Sequence, residues 1–119
     1  MYRVKIKTHF SSAHNIREYK GNCENLHGHN WKVEATLKSE TLDKLGMVED
    51  FREFKKHMRL IMEDLDHKYI NELEYFKTVN PTSENIAYYI FKRIQKVYGE
   101  KAESVVVWEN DDSAAEYCE

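Results

Sequence analysis

Two histidines separated by one residue, His27 and His29, are the first feature of the sequence that points to chemistry. On a β-strand, residues two positions apart project from the same face, about 6–7 Å apart along the backbone. Their imidazoles can therefore converge on one metal ion. Gly28 between them lets a ligand or another backbone segment approach closely. A third imidazole, His14, could join them if two strands pair as a hairpin.

Three histidines without a fourth protein ligand are typical of a catalytic zinc site, which keeps one position for water or substrate. Nitrogen donors also suit iron and nickel, so ligand type alone leaves the metal open. A lone His-x-His is more often a structural pair than a ligand pair. Two further features favour a metal site here. His14 falls on the same strand face as the pair, and a cysteine lies four residues before His27.

Other side chains that could take part in chemistry are more ambiguous. Cys23 is a small apolar residue, a fourth zinc ligand, or a base or nucleophile with a stabilised thiolate. Asp66-His67 is typical of a helix end, where the helix dipole favours a cationic histidine. Glu109 is either a solvated strand end or an acceptor for a ligand's N–H groups. We interpret Cys118, near the C-terminus, as structural.

The strands that position the histidines follow from the alternation of apolar and polar residues. Residues 2–10 alternate with a period of two, which predicts a half-buried strand. Continuing the same parity through Ser12 places His14 on the same face. A loop over residues 15–26, which contains Gly21, separates this strand from a second. One face of the second strand carries His27, His29, Trp31, Val33, Ala35 and Leu37.

A change to helical spacing predicts the first helix. Asp50 is the predicted N-cap, and Glu53 completes a capping box. The helix ends near Asp66-His67. The apolar residues at helical spacing, which make this an amphipathic helix of about four turns, are Phe51, Phe54, Met58, Ile61, Met62 and Leu65.

A second helix and two shorter strands complete the chain. Either Thr82 or Ser83 can cap the helix, and Gly99 closes it. Residues 104–108 are β-branched and strand-like, and residues 114–118 form a short partner strand. The order ββααββ indicates an α+β fold, with a four-stranded antiparallel sheet and both helices on one side.

The composition indicates one globular domain over residues 1–119, with 41% hydrophobic and 33% charged residues. The net charge is −3, and no basic stripe supports nucleic-acid binding. No apolar run approaches the roughly 20 residues that a membrane span needs. Two cysteines are too few for a disulfide scaffold, and no signal peptide is recognised, so we expect a cytoplasmic protein. Open strand edges on so small a core favour oligomerisation.

Together these residues resemble the 6-pyruvoyltetrahydropterin synthase / 6-carboxytetrahydropterin synthase family. The resemblance spans residues 10–109, nearly the whole chain, with its motifs in the family's order. The Cys-x-x-x-His-Gly-His element is specific for this family. The Leu-Asp-His element and the final glutamate indicate the family only when that element is also present. The matching segments are Phe10-Ser11-Ser12-Ala13-His14, Cys23-x-x-x-His27-Gly28-His29, Asp50-Phe51, Leu65-Asp66-His67, Asn80-Pro81-Thr82-Ser83-Glu84-Asn85 and Val107-Trp108-Glu109.

The resemblance implies a tunnelling fold (T-fold), in which three sheets join edge to edge into a barrel and two such rings stack. It therefore implies a homohexamer, a dimer of trimers, with active sites at subunit interfaces. It also implies that Zn²⁺ is bound by His14, His27 and His29. The implied substrate is a small pterin, 7,8-dihydroneopterin triphosphate.

The same resemblance implies roles for the remaining motif residues. Cys23 is the catalytic base, and Asp66 with His67 forms a relay that tunes it and moves protons. The implied substrate-binding residues are Glu109, which anchors the pterin ring, and Thr82 and Ser83. The triphosphate-binding residues are not identified by sequence. Arg17 and Lys20 are candidates for that role. The alternative interpretation, which we favour, is that both are ordinary solvated residues.

Two residues depart from the commonest family pattern. Glu24 follows Cys23, and a glutamate there resembles family members that cleave the side chain to give 6-hydroxymethyl-dihydropterin. Glu24 is therefore a second candidate catalytic residue. Asn110 stands where threonine is frequent in the family, a departure that concerns one contact to the pterin ring and not the anchor.

The activity predicted first is that of a 6-carboxytetrahydropterin synthase-like lyase, a step toward deazapurine nucleosides such as queuosine. The short spacing between the cysteine and the histidine pair resembles the bacterial and archaeal branch. The alternatives are side-chain cleavage in a folate-type pathway, 6-pyruvoyltetrahydropterin formation, and a non-catalytic zinc or pterin-binding module.

Overall fold

The order of elements in the structure is strand, strand, helix, helix, strand, strand, as the periodicity predicted. A computed structural model describes residues 1–119. Its elements are β1 (Tyr2–His14), β2 (His27–Ser39), α1 (Phe51–Leu65), α2 (Ser83–Tyr98), β3 (Ala102–Trp108) and β4 (Ala114–Cys118). The four strands form one antiparallel sheet in the order β1-β2-β3-β4. The predicted α+β class and antiparallel sheet are confirmed.

The hairpin of β1 and β2 is the longest feature of the fold. Its pairing runs without interruption from Tyr2 opposite Ser39 to His14 opposite His27. Two 13-residue strands extend over roughly 44 Å, which accounts for most of the molecule's 54 Å length. Because strand side chains alternate, this register puts the predicted apolar face against the helices and the histidines at its far end.

The helix ends differ in detail from the predicted caps. Asp50 caps α1 and accepts a hydrogen bond from the Arg52 N–H at 2.7 Å. The predicted capping box is wrong, because the Asp50 N–H donates to Glu49 rather than to Glu53. In α2 the cap is Thr82, whose hydroxyl accepts from an N–H of the first turn.

The core lies between one face of the sheet and the two helices. Fully buried aromatic side chains fill it, and each stabilises the fold by about 1.5–3 kcal/mol through apolar burial. The largest are Trp31, Phe10, Phe54, Phe76 and Phe91. Trp31 also packs edge-on against His14 and His29, with ring centroids 4.8 and 5.2 Å apart. The core therefore supports the rings of two histidines directly.

The outer edges of the sheet are only partly covered. The segment after α1 lies along β1. The His67 N–H donates to the Ser11 carbonyl at 2.6 Å, and the Ala13 N–H donates to the Lys68 carbonyl at 3.0 Å. The outer edge of β4 pairs with no other strand. Neither helix is long and apolar enough to cross a membrane.

Candidate metal centre and active site

Three imidazoles meet at the loop end of the β1–β2 hairpin, where residues 15–26 connect the two strands. His14 and His27 are paired residues of the ladder, and His29 lies two positions along β2 on the same face. The ring centroids are 4.7 Å apart for His14–His27, 5.2 Å for His14–His29 and 4.7 Å for His27–His29. The predicted convergence of three histidines at one end of the sheet is present in the structure.

Backbone carbonyls set the tautomers of two of these rings. His14 Nδ1 lies 2.7 Å from the Pro81 carbonyl oxygen, and His27 Nδ1 lies 2.8 Å from that of Asn25. A carbonyl only accepts, so each Nδ1 carries the proton and each neutral ring offers a lone pair at Nε2. The two Nε2 atoms face each other at 3.1 Å. This is the arrangement of metal-ligating histidines, whose second nitrogen donates to a carbonyl or carboxylate.

Glu109 brings a carboxylate oxygen into the same cluster. Its Oε1 lies 3.0 Å from His29 Nε2, 3.2 Å from His14 Nε2 and 4.0 Å from His27 Nε2. The four donor atoms all lie within 4.8 Å of one another. Tetrahedral ligands at zinc distances are separated by about 3.3 Å. The group can therefore hold a metal ion, and its donor types suit zinc.

His29 supplies a second observation that is consistent with a metal in this cluster. Its Nε2 is buried and has no well-directed hydrogen-bond partner, although Glu109 is close by. Burial lowers the pKa of His29, and His14 and His27 act in the same direction against the opposing charge of Glu109. A buried, unpaired ring nitrogen costs stability unless something satisfies it. A metal ion would do so.

The loop between β1 and β2 places Cys23 and Glu24 differently. Cys23 is a free, exposed thiol with no hydrogen-bond partner. Glu24 is anchored, since its N–H donates to the Ile16 carbonyl at 2.8 Å and its Oε1 accepts from the Ile16 N–H at 3.2 Å. The same Oε1 lies 3.8 Å from His27 Nδ1. Glu24 thus lies beside the histidine cluster.

Asp66 and His67 form a pair on the outer edge of β1. Asp66 Oδ1 accepts a hydrogen bond from the Ser11 N–H at 2.7 Å, and Asp66 Oδ2 lies 2.9 Å from His67 Nδ1. The Ser11 hydrogen bond, helped by His67, lowers the pKa of Asp66. His67 has a φ of 55°, in the left-handed region, and its side chain is 82% exposed. Within the chain, no hydrogen bond or ion pair joins this dyad to Cys23.

Thr82 and Ser83, the other predicted substrate-binding residues, lie at the start of α2. The Thr82 hydroxyl is already engaged in capping the helix. The residue before it, Pro81, supplies the carbonyl that orients His14. In this chain the segment therefore positions His14, a candidate metal ligand.

Arg17 was interpreted from sequence as a solvated residue or a phosphate ligand, and the structure shows neither. Its guanidinium donates to the carbonyls of Asn71, Phe76 and Val79 at 3.1, 2.6 and 3.4 Å. Its backbone N–H donates to Asn80 Oδ1 at 2.9 Å, and Asn80 Nδ2 donates back to the Arg17 carbonyl at 3.1 Å. Arg17 thus fastens the loop before Cys23 to the segment that leads into Pro81.

Comparison with known proteins agrees with this fold. The chain matches the family model described as 6-pyruvoyl tetrahydropterin synthase over residues 3–119. A 6-carboxy-5,6,7,8-tetrahydropterin synthase from Synechocystis is 35% identical over 122 residues, covering 98% of this chain and 93% of the relative. A dihydroneopterin monophosphate aldolase from Pyrococcus furiosus is 33% identical over 116 residues, covering 96% and 95%.

A solved structure shows the same arrangement of strands and helices. The 6-pyruvoyl tetrahydropterin synthase of Caenorhabditis elegans superposes with a TM-score of 0.89 at 28% identity, covering 99% of this chain and 95% of that one. The fold is therefore the T-fold of these enzymes. The sequence match extends over almost the entire chain, including every motif described above. The chain belongs to the 6-pyruvoyl tetrahydropterin synthase family.

Proposed function

We propose that this chain is a zinc-dependent lyase that converts 7,8-dihydroneopterin triphosphate and water into 6-carboxytetrahydropterin, acetaldehyde and triphosphate. The observation that carries the proposal is the convergence of three histidine Nε2 atoms and the Glu109 carboxylate at one end of the sheet. The Synechocystis relative, named for this product, matches along almost its full length. The product would lead toward deazapurine nucleosides such as queuosine.

The histidines would hold zinc through Nε2, with His14 and His27 oriented by the carbonyls of Pro81 and Asn25. When bound, zinc supplies a Lewis acid that stabilises developing negative charge on the substrate's side-chain oxygens. Glu109, which only accepts hydrogen bonds when ionised, suits the N–H groups of the pterin ring. Cys23 serves as the base that removes a proton beside the developing charge.

Assembly would complete the site. The Asp66-His67 dyad lies on the outer edge of β1, away from any contact with Cys23 of its own chain, and His67 is largely exposed. Open edges at β1 and β4 suit the edge-to-edge closure of sheets into a ring. We propose a homohexamer, a dimer of trimers, in which the dyad of one subunit serves the Cys23 loop of its neighbour.

A second activity is favoured by a separate observation. Glu24 is fixed by two hydrogen bonds to Ile16 and lies 3.8 Å from His27 Nδ1. A carboxylate held there could be the base for side-chain cleavage to 6-hydroxymethyl-dihydropterin. The Pyrococcus furiosus relative, named a dihydroneopterin monophosphate aldolase, supports this alternative. Formation of 6-pyruvoyltetrahydropterin is the third candidate, and a non-catalytic zinc or pterin-binding module is the fourth.

One experiment separates these activities. The zinc-loaded protein is incubated with 7,8-dihydroneopterin triphosphate and, separately, with the monophosphate, and the products are identified by mass spectrometry. Acetaldehyde with a carboxypterin supports the first proposal. A hydroxymethylpterin supports side-chain cleavage, and a pyruvoylpterin supports the third candidate. Absence of turnover with either substrate would favour the binding module and overturn the lyase proposal.

A further inference from the structure

We infer that Asn80 is a positioning residue for the candidate active site: it joins the loop that carries Cys23 and Glu24 to the carbonyl that orients His14. The inference rests on the proposed function, because it concerns how the proposed metal ligand and bases are held in place. Asn80 itself is neither a candidate ligand nor a candidate base. It acts through the backbone of the residues around it.

The backbone just after β1 is paired by two asparagine side chains instead of by another strand. Asn71 Oδ1 accepts from the Asn15 N–H at 3.1 Å, and Asn71 Nδ2 donates to the Asn15 carbonyl at 2.8 Å. Asn80 makes the same two hydrogen bonds with Arg17, at 2.9 and 3.1 Å. An amide offers the one acceptor and one donor that such a pair requires, whereas a carboxylate offers acceptors alone.

The residue between these two pairs holds the loop that carries the candidate bases. The Glu24 N–H donates to the Ile16 carbonyl at 2.8 Å, and the Ile16 N–H donates to Glu24 Oε1 at 3.2 Å. Alternation of the paired side from one residue to the next is the pattern of extended backbone. Cys23 immediately precedes Glu24. A shift of the Arg17 backbone would therefore move Ile16 and displace both candidate bases.

The main chain of Asn80 leads to the histidine cluster. Its carbonyl accepts from the Thr82 N–H at 2.9 Å and from Asn85 Nδ2 at 2.9 Å. The first of these bonds closes a γ-turn with Pro81 at its centre. The turn leaves the Pro81 carbonyl 2.7 Å from His14 Nδ1. Proline has no N–H with which to anchor the turn, so its neighbours on either side must hold it.

Loss of the Asn80 amide would separate these two connections. Arg17 would stay attached to the segment before Pro81 only through its long side chain. The Pro81 carbonyl would no longer be held against His14 Nδ1, and the ring would lose the acceptor that selects its tautomer. A neutral imidazole with its proton on Nε2 cannot bind a metal through that nitrogen. Metal affinity should therefore depend on a residue that is not a ligand.

The test is Asn80→Ala, which removes both hydrogen bonds to Arg17 and keeps the backbone. Competition with a chelator should show zinc bound at least about 10-fold more weakly. In the metal-free protein with labelled histidine, NMR should show His14 protonated at Nδ1. In the variant, the signals of the two His14 ring nitrogens should move toward each other. Hydrogen exchange over residues 15–26 should be faster, and kcat at saturating zinc should fall at least about 10-fold.

Two further variants separate positioning from a general loss of stability. Asp50→Ala removes the N-cap of α1, at the end of the helix away from the cluster, and costs about 1 kcal/mol. It should keep the native zinc affinity, His14 signals and loop exchange. Asn80→Asp keeps the acceptor for the Arg17 N–H and loses only the donor. It should change the same quantities in the same direction by a smaller amount, and it decides the test if Asn80→Ala does not fold.

The inference is overturned if a folded Asn80 variant keeps the native zinc affinity and the native His14 signals. It is also overturned if Asp50→Ala changes them as much as Asn80→Ala does. Either result in a protein that turns over substrate leaves the lyase proposal standing. If the Asn80 variants behave as expected but the native protein forms no product, the positioning role stands at a site that only binds metal. If the native protein binds no zinc, the proposed function fails, and the His14 signals of the metal-free protein decide the inference.

Discussion

The two histidine-containing parts of the candidate active site differ in how much of their environment one chain supplies. His14 has a side chain only 2% exposed, is packed against Trp31, and has Nδ1 held by a carbonyl. His67 is 82% exposed, and its imidazole has a single partner, the adjacent Asp66. The histidine cluster is assembled within one chain, whereas the dyad lies on a strand edge.

Their origins in the fold explain this difference. The histidine cluster follows from an uninterrupted hairpin register, which fixes the face of every strand residue and places His14 opposite His27. The dyad follows from the end of α1, where backbone hydrogen bonds tie its residues to the outer edge of β1. The core therefore organises the histidine cluster, whereas the dyad lies outside the core on the edge of the sheet.

Removal of a metal ligand should have the largest effect. In His14→Ala, the cluster loses a buried imidazole whose Nε2 lies within 3.2 Å of the donors of His27 and Glu109. We expect about one zinc per native chain, and loss of bound zinc together with activity in the variant. Metal analysis of the purified protein checks this. Full zinc occupancy in His14→Ala would remove that residue from the ligand set. It would also weaken the view that the histidine cluster is the better organised of the two parts.

The second prediction tests whether the dyad serves a neighbouring subunit. Cys23→Ala and His67→Ala should each lose activity by about 10²–10⁴-fold, as expected for loss of a general acid or base. When the two inactive variants are unfolded and reassembled together, about one quarter of the sites at a symmetric interface would combine an intact Cys23 with an intact His67. We therefore expect substantial recovery of activity in the mixture.

Two controls make that experiment decisive. Each variant reassembled alone should stay inactive, and light scattering should show a hexamer for both. If the mixture regains nothing although mixed hexamers form, Cys23 and His67 act within one chain. A monomer at micromolar concentration would contradict the interface itself, and the dyad would then have no neighbour to serve.

The third prediction concerns the loop beside the histidine cluster. In this loop Cys23 is an unpaired, exposed cysteine, and Glu24 is hydrogen-bonded to Ile16. Adjacent residues rarely present both side chains to the same point. If Cys23 serves the carboxypterin reaction and Glu24 serves side-chain cleavage, Cys23→Ala should retain hydroxymethylpterin formation and Glu24→Ala should retain carboxypterin formation. Each lost product should fall by about 10²–10⁴-fold.

Zinc content is the control for the loop variants, because neither residue is a ligand in the proposed site. Product analysis by chromatography, with metal content measured in the same samples, separates catalysis from metal loss. If Glu24→Ala leaves every product rate unchanged, Glu24 has only the structural role that its bonds to Ile16 provide, and the second activity is wrong.

The parts of the site that could be predicted from sequence are those fixed by strand parity. The period of two identifies one face of β1 and β2, and His14, His27 and His29 all belong to it. The helices likewise follow from spacing and capping residues. The predicted capping box was wrong because Glu49, the immediate neighbour of Asp50, took the N–H that Glu53 was expected to bind.

The remaining parts depend on contacts between residues distant in sequence, and no local pattern encodes them. Glu109 reaches the histidines because β3 pairs with β2 in a register that sequence does not specify. Arg17 was misinterpreted because its partners are carbonyls of residues 71–79, and a carbonyl contact leaves no signature in residue type. The separation of Asp66-His67 from Cys23 also required the three-dimensional structure.

The smallest predicted effect tests how firmly the dyad is attached to its own chain. The Ser11 N–H lowers the pKa of Asp66, so ionised Asp66 stabilises the folded state. A carboxylate with a lowered folded pKa contributes stability above its unfolded pKa of about 3.9, and this contribution is lost as the pH falls toward the folded pKa. Because the Asp66 side chain is 39% exposed, solvent screening limits the effect to below about 1 kcal/mol.

Asp66→Asn isolates the charge, since an amide oxygen can still accept from the Ser11 N–H. Urea unfolding at fixed protein concentration should show the variant less stable at pH 7, with the difference shrinking as the pH is lowered from about 5 to 3. Asp112→Asn, in the exposed turn before β4, should show no such trend. A constant difference across this range would mean that the anchor acts through shape rather than charge. An absent difference would mean that the dyad is as loosely held by its own chain as the exposure of His67 suggests.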